Sequence, residues 1–364
     1  MAHTHGSCDE RFEAVRDALV ACLDGNDVGA SVAVYLDDEP VVDIWGGYVD
    51  ADRTRPWERD TITCVWSTTK TMTALCALIL ADRGDIDLDA PVAKYWPEFA
   101  AAGKEEVLLR HVLGHTSGLP TWHEPVRTEQ LYDWSTMTTL LAEQTPSSQP
   151  GVVGAYHAVT QGYLIGEVIR RATGRDLATF FAEDITGPLG ADFHIVLPAE
   201  HDHRVAPIIP AETRAPEIAA RGPGNPPIPA EIANTEAWRR AHIPSASGFG
   251  NARSVAAVQS VLACGGQARG VRLMSQAGCE RVLDEQFLGD DEILGARIRY
   301  GMGYSLQGRT CSWGGWGGSI VMVDLDTHMT VSYVMNQMLE QGPLGDDRGL
   351  SIVMAAYTAL QNAH

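Results

Sequence analysis

The chain of 364 residues has little positive charge and no long apolar run. Its 27 lysines and arginines stand against 47 aspartates and glutamates, a net charge of −20, which excludes general attraction to nucleic acid or an anionic membrane. The longest uninterrupted apolar run, Ala74 to Ala81, is far shorter than the roughly 20 residues that span a bilayer. The first residues lack the basic and apolar regions of an export signal. We therefore expect a cytoplasmic protein with no nucleic-acid or membrane partner.

Cysteine is also scarce and irregularly placed. The seven cysteines are odd in number and include no C-x-x-C pair, so reduced thiols are expected rather than a disulfide framework or a zinc site. Three patterns imitate metal sites but lack a required partner, and we expect neither metal nor cofactor. They are His3, His5 and Cys8 in an N-terminus expected to fray, His111 and His115 without the H-E-x-x-H glutamate, and Asp85, Asp87 and Asp89 without the glycine and glutamate of a calcium loop.

Hydrophobic spacing divides the chain into strand-rich ends and a helical middle. Residues 207–244 hold eight of the nineteen prolines, so regular structure is not expected there, and such loops are typically lids or rims. We predict an α+β fold in which strands from both termini form one sheet. The predicted helices are 9–23, 67–83, 107–113, 129–143, 160–171, 177–184, 254–264, 276–283 and 350–360, and the predicted strands are 30–36, 40–48, 297–306, 311–313, 319–324 and 329–335.

The strongest chemical signal is a serine at the start of an apolar helix with a lysine three residues later. Ser67 and Lys70 lie at i and i+3 and therefore share one helix face. A serine hydroxyl needs a base to become a nucleophile, and a desolvated lysine can serve as that base. Lysine is rare here, since Lys70, Lys94 and Lys104 are the three in the chain, which strengthens the interpretation.

Two further segments could complete such a site. Tyr156 precedes a predicted helix, and a nearby lysine cation could lower its phenol pKa enough for a general base. The run from Ser312 to Ser319 contains four glycines between predicted strands, so its backbone could approach a ligand and offer N–H groups to an oxyanion. Ser117 lies in Gly-His-Thr-Ser-Gly, whose spacing is not that of a G-x-S-x-G nucleophile.

In this order and spacing the three segments resemble the serine β-lactamase and penicillin-binding protein superfamily, and most of all the family VIII carboxylesterases, relatives of class C β-lactamases. The resemblance covers roughly residues 10–360. It implies a β-lactamase/transpeptidase-like fold: an antiparallel sheet flanked by helices from residues 1–85 and 243–364, and a mainly helical insertion at 86–242. It also implies Ser67 as nucleophile, Lys70 and Tyr156 as a base pair, and the backbone N–H groups of Ser67 and Trp316 as oxyanion hole.

Two departures from class C β-lactamases favour an uncharged ester as substrate. Ala158 stands where those enzymes have an asparagine that holds the β-lactam side chain, and Trp313 stands where they have a lysine that meets the carboxylate. The expected activity is hydrolysis of short-chain carboxylic esters by two-step acyl transfer. The residues expected to bind this small-molecule substrate are Trp313, Gly314, Gly315, Trp122, Phe249 and His157.

Other functions use the same residues and stay open at this point. A β-lactamase or D-alanyl-D-alanine peptidase would need export, and no export signal is seen. An acyltransferase would need no change in the catalytic residues, whereas a silent ligand sensor would not need Ser67, Lys70 and Tyr156 together. The sequence indicates no oligomeric state.

Overall fold

The computed structural model describes residues 1–212, 224–339 and 346–362. Residues 213–223 of the proline-rich loop, with Pro216 and Pro223, lie outside this range, as do residues 340–345 and 363–364. The division of the chain into residues 1–85 with 243–364 and residues 86–242 stays a prediction.

One large sheet contains strands from both ends of the chain. The strands of the described chain are β1 (Thr4–Cys8), β2 (Gly29–Leu36), β3 (Glu39–Gly47), β4 (Thr63–Cys64), β5 (Phe249–Gly250), β6 (Gln267–Ala268), β7 (Val271–Arg272), β8 (Phe287–Asp290), β9 (Arg297–Tyr300), β10 (Ser305–Gln307), β11 (Thr310–Gly314), β12 (Ile320–Asp324) and β13 (Met329–Met335). The nine strands of the large sheet are all antiparallel and run in the order β1-β3-β2-β13-β12-β11-β10-β9-β8.

Helices cover the sheet and fill the middle of the chain. The first and last helices pack against each other and on the sheet, and the helix Ala252–Ala263 packs on β2, β12 and β13. The α-helices of the described chain are α1 (Glu13–Asp24), α2 (Thr69–Arg83), α3 (Leu109–Leu113), α4 (Trp134–Glu143), α5 (Thr160–Thr173), α6 (Leu177–Phe181), α7 (Gly187–Leu189), α8 (Glu236–Arg240), α9 (Ala252–Ala263), α10 (Gln276–Glu280) and α11 (Asp347–Asn362). Among the described helices, none is both long and apolar enough to cross a bilayer.

Three expectations about local structure were wrong. The N-terminus does not fray: Thr4–Cys8 forms an edge strand whose backbone pairs with β3, although its own residues are mostly polar and exposed. The edge strand β8 was also missed, because Phe287–Asp290 is short and contains a glycine. The proline-rich loop contains a short 3₁₀-helix, Ala230–Asn234, and the helix α8.

Helix α2 is the element that positions the site. Every residue from Thr69 to Leu80 is buried, so the helix is surrounded by protein on all sides. It ends where Gly84 adopts a left-handed conformation, φ 82°, and donates its N–H to the last carbonyls. A side chain in the first turn of α2 is therefore held rigidly.

Candidate active site

The turn that leads into α2 is strained. Strand β4 pairs with β5 and is followed by a 3₁₀ turn, Trp66–Thr68. Trp66 has a φ of +48°, which is unusual for a bulky residue and is kept only when the surroundings determine it. Its indole lies against Trp238 and Trp316, with ring centroids 5.5 and 5.0 Å away. This packing fixes Ser67, half-buried, at the entrance to the helix.

Lys70 lies one turn into the helix and is completely buried. Its Nζ is 2.6 Å from the carbonyl oxygen of Ala158, 2.9 Å from that of Ser245 and 3.2 Å from Ser67 Oγ. Burial lowers the pKa of Lys70 well below the usual 10.5, because the charged ammonium loses its solvation.

In the neutral form that the lowered pKa favours, the three contacts use both N–H bonds and the lone pair of the Lys70 amine. Carbonyl oxygens can only accept, so two N–H bonds point to Ala158 and Ser245. The nitrogen lone pair of a neutral Lys70 is then directed at Ser67 Oγ, where it can accept the hydroxyl proton. The geometry therefore suits Lys70 as the base for Ser67.

Tyr156 approaches Ser67 from the other side. Its hydroxyl donates to Ser67 Oγ at 2.7 Å, and its ring lies 4.9 Å from Lys70 Nζ. Burial raises the pKa of Tyr156 above its usual 10. The expectation that a lysine cation lowers this pKa was wrong, because Lys70 itself is desolvated and tends to be neutral. In this arrangement Tyr156 is a proton donor.

Two backbone N–H groups beside Ser67 have no acceptor in the described part of the chain. They belong to Ser67 itself and to Trp316. The Trp316 loop lies directly against the Ser67 turn: Ser319 Oγ donates to the Val65 carbonyl oxygen at 3.0 Å. At Gly315 a Cβ atom would lie 2.2 Å from that same oxygen, so this approach requires glycine. Two free donors on adjacent turns form a suitable oxyanion hole.

A buried arginine holds the far side of the Trp316 loop. Arg348, at the start of α11, donates to the carbonyl oxygens of Gly317 and Gln337 at 2.7 and 2.9 Å. Its charge is balanced by Asp27 and Asp346, both buried and each 2.5 Å from a guanidinium nitrogen. Such a paired and fully hydrogen-bonded charge fixes geometry more than it adds stability.

A cleft of about 580 Å³ opens beside Tyr156. One charged residue, Glu292, is among the side chains that line it. The remaining lining residues are apolar, small or uncharged: Pro120, Thr121, Trp122, Tyr156, Ala158, Val159, Thr160, Gly224, Asn225, Pro226, Ile228, Ile293 and Gly295. This volume lies in the range that accommodates drug-sized molecules.

Comparison with known proteins places the chain in a family. Residues 14–353 match the Beta-lactamase family. The chain is 34% identical to "Esterase/beta-lactamase LipL" of Mycobacterium tuberculosis, covering 94% of this chain and 85% of that protein. A crystal structure of a family VIII carboxylesterase is 41% identical with a TM-score of 0.92, covering 98% of this chain and 100% of the other. A penicillin-binding protein homolog from Caulobacter crescentus is 34% identical, with the same TM-score and the same coverage.

The chain belongs to the beta-lactamase family. The predicted β-lactamase/transpeptidase-like fold is confirmed, with its antiparallel sheet and flanking helices. The predicted resemblance to family VIII carboxylesterases is confirmed as well.

In this member of the beta-lactamase family, the predicted substrate-binding residues are divided between the cleft and the core. Trp122 lines the cleft. Trp313 lies behind Tyr156, with ring centroids 5.4 Å apart, and is 1% exposed. Gly314 pairs with Ile320 inside the sheet. Gly315 lies against the Ser67 turn rather than the cleft.

Two more of the predicted substrate-binding residues, Phe249 and His157, are also absent from the cleft lining. Phe249 is fully buried in β5, where it pairs with Cys64. His157 is fully buried too: its Nδ1 donates to the Ala155 carbonyl oxygen, so its Nε2 accepts from Ser117 Oγ at 2.6 Å. The side chain of His157 points into the core, while its neighbour Tyr156 points to Ser67.

The contact between Ser117 and His157 has the form of a serine–histidine pair but lies in the core. Both residues are fully buried, and neither lines the cleft. Burial lowers the pKa of His157 to about 4, so it stays neutral at neutral pH. The pair holds the backbone beside Tyr156 in place. His115 adds a further contact there, because its Nδ1 accepts from the His157 N–H at 3.1 Å.

The sequence missed the backbone groups and loops that complete the site. The carbonyls of Ala158 and Ser245 carry no side-chain signal. The cleft walls formed by residues 224–228 and 292–295 carry no motif. Among the described residues, no group of three or more His, Cys, Asp or Glu side chains is placed to hold a metal ion.

Proposed function

We propose that this protein hydrolyses carboxylic esters of short acids through an acyl-enzyme on Ser67. The observation that carries the proposal is the position of Ser67 Oγ, 3.2 Å from Lys70 Nζ and 2.7 Å from Tyr156 OH. Esterase activity is further supported by the 41% identical carboxylesterase and the 34% identical esterase, both matched over nearly the whole chain. The protein is thus a beta-lactamase-like carboxylesterase.

Acylation begins when Ser67 Oγ attacks the ester carbonyl and its proton passes to the neutral amine of Lys70. The oxyanion that forms is stabilised by the N–H groups of Ser67 and Trp316. As the carbon–oxygen bond breaks, Tyr156 gives its proton to the leaving alcohol. The acyl-enzyme then faces a Tyr156 phenolate that is paired with a Lys70 ammonium.

Deacylation reverses the proton transfers. The Tyr156 phenolate takes a proton from water, and the resulting hydroxide attacks the acyl carbonyl. Ser67 Oγ leaves with the proton of the Lys70 ammonium, which returns all three groups to their starting state. The steps balance with water alone, so the proposal includes no cofactor.

An ester suits this site better than a β-lactam. Trp313 and Ala158 supply neither a cation for a carboxylate nor an amide for a side chain. The loss of one hydrogen bond to a charged group typically costs about 1.5–3 kcal/mol, so nitrocefin is expected to be a poor substrate. We expect kcat/KM for p-nitrophenyl acetate to exceed that for nitrocefin by at least a hundredfold.

The acyl-enzyme is tested with a fluorophosphonate probe. Intact mass is expected to rise by one adduct, and peptide mapping is expected to locate it on Ser67. Ser67→Ala should lose both adduct and turnover, while Ser312→Ala, at a half-buried serine of β11, should keep both. An adduct on Ser117 or any other serine would contradict the proposal.

A further inference from the structure

The cleft lies on the leaving-group side of Ser67. Tyr156 is the member of the Ser67, Lys70 and Tyr156 set that lines it. Under the proposed function, on which this inference rests, Tyr156 protonates the departing alcohol. The alcohol oxygen must then lie within hydrogen-bond distance of Tyr156 OH, so the rest of the alcohol extends into the space beside that residue.

One wall of the cleft is fastened by an asparagine. The Nδ2 of Asn225 donates to the carbonyl oxygens of Trp122 and Glu124 at 2.7 and 2.8 Å. Its Oδ1 accepts from the Val126 N–H at 2.8 Å. The hydroxyl of Thr121 donates to the Asn225 carbonyl oxygen at 2.9 Å. These four bonds join two distant segments, so the wall that carries Ile228 is formed before substrate binds.

A second wall segment is held in place by a buried aspartate. Asp291 accepts from the N–H groups of Ile293 and Leu294 at 2.9 and 2.7 Å and from the Tyr300 hydroxyl at 2.8 Å. The Glu292 N–H donates to the Gly154 carbonyl oxygen at 2.9 Å. The turn therefore presents Ile293 and Glu292 to the cleft.

The lining chemistry selects against negative charge. Ile228, Val159 and Pro226 offer apolar surface, whereas Glu292 is the charged residue among the lining side chains. A substrate carboxylate placed here meets a like charge and gains no cation. An apolar group instead gains from leaving water.

We propose that this cleft binds the alcohol half of the ester and selects alcohols with a large apolar group that carries no negative charge. The substrates are then esters of a short acid with a bulky, neutral or cationic alcohol. The volume of about 580 Å³ greatly exceeds what a methyl or ethyl group needs.

Two ester series test which half of the substrate uses the cleft. In the first, the acid is acetate and the alcohol grows from methanol through butanol to 2-phenylethanol and 2-(naphthyl)ethanol. We expect kcat/KM to rise about fourfold for each added methylene that is buried. In the second, p-nitrophenol is constant and the acyl chain grows; we expect no such rise beyond butyrate. A rise with the acyl chain and a flat alcohol series would overturn the assignment.

Filling the cleft tests its location. Ile228→Trp should lower kcat/KM for 2-phenylethyl acetate at least ten times more than it lowers kcat/KM for methyl acetate. Ile232→Trp is the matched control, since Ile232 is also a half-buried isoleucine packed on the core but lies outside the cleft. Ile293→Gln, at a side chain already 42% exposed, is a second variant that should weaken the alcohol dependence. An unchanged alcohol series in both cleft variants would refute the proposal.

Charge selection is tested with acetates of 4-hydroxybutanoate, butanol and choline. The anionic ester should be the poorest, and Glu292→Gln should raise its kcat/KM about threefold or more at low salt. Asp290→Asn, at an exposed aspartate nearby that does not line the cleft, should not. An equal effect of both variants on kcat/KM for the anionic ester would show that the net charge of the protein, and not the cleft, determines the discrimination against that ester. If any of these tests refutes the cleft proposal, the proposed function still stands as long as the protein turns over methyl acetate and forms the adduct on Ser67.

Discussion

Replacement of Tyr156 by phenylalanine distinguishes two roles for the phenol, a general acid for the leaving alcohol and a base for Ser67. The change removes the hydroxyl that donates to Ser67 Oγ at 2.7 Å. The phenylalanine ring keeps the contacts with Trp313 and His115, whose ring centroids lie 5.4 and 5.1 Å away. The variant should therefore fold normally, and its kinetic defect should report on the lost proton.

The size of the defect depends on the leaving group. General acid catalysis contributes about 10²–10⁴ to the rate, and an alkoxide needs this help because it is a strong base. A p-nitrophenolate leaves without a proton, so its ester loses only a neutral hydrogen bond of about 0.5–1.5 kcal/mol. At about 1.4 kcal/mol per factor of ten, that loss is about two- to twelvefold.

The assay compares kcat/KM for 2-phenylethyl acetate and p-nitrophenyl acetate, which share the acyl group. We expect Tyr156→Phe to reduce the first by at least ten times more than the second. Tyr163→Phe is the control, because Tyr163 is also buried and donates its hydroxyl, but to the Leu131 carbonyl oxygen outside the site. If Tyr156 were instead the base for Ser67, both esters would lose the same factor, and that result would refute the assignment.

Three further outcomes follow from the same geometry. The kcat/KM should rise as the pH passes the lowered pKa of Lys70, because the lysine base is neutral above that pKa. It should then stay level, because the raised pKa of Tyr156 keeps the tyrosine protonated. A fall in kcat/KM at mildly alkaline pH, with the fold intact, would contradict this. Lys70→Ala combined with Tyr156→Phe should be little worse than the more severe single variant, whereas fully multiplicative losses would mean independent roles. Arg348→Lys, which loses the forked contact to Gly317, should lower kcat and the affinity for a boronic acid inhibitor in parallel while KM changes little; an unchanged kcat would exclude a role in holding the Trp316 N–H.

The centre of the site was predictable because its members are local in sequence. Ser67 and Lys70 are three residues apart at the start of a buried helix, and that spacing alone puts them on one face. The hairpin of β2 and β3 and the strand β13 were predictable for a similar reason. β2 and β13 are buried along nearly their whole length, and β3 alternates buried with half-buried residues from Val41 onward.

The rest depends on contacts that no local pattern encodes. The first strand is polar and exposed, and pairing with β3 rather than burial makes it a strand. Phe249 and His157 are aromatic residues near motif positions, yet both turn into the core. The cleft wall is formed by Asn225 reaching across about a hundred residues to Trp122 and Val126. Sequence patterns describe which surfaces are apolar but not which distant loops meet.

In the proposed mechanism, the pKa shifts of Lys70 and Tyr156 explain why no carboxylate is needed to make one group a base and the other an acid. Desolvation disfavours the charged form of any group, so the same buried environment lowers the pKa of Lys70 and raises that of Tyr156. The lysine tends to hold its lone pair and the tyrosine its proton, which is the combination that ester acylation requires. Two backbone carbonyls occupy the N–H bonds of Lys70 and direct its lone pair to Ser67. In the proposed mechanism, burial therefore assigns the two roles, and hydrogen bonding directs both groups to Ser67 Oγ.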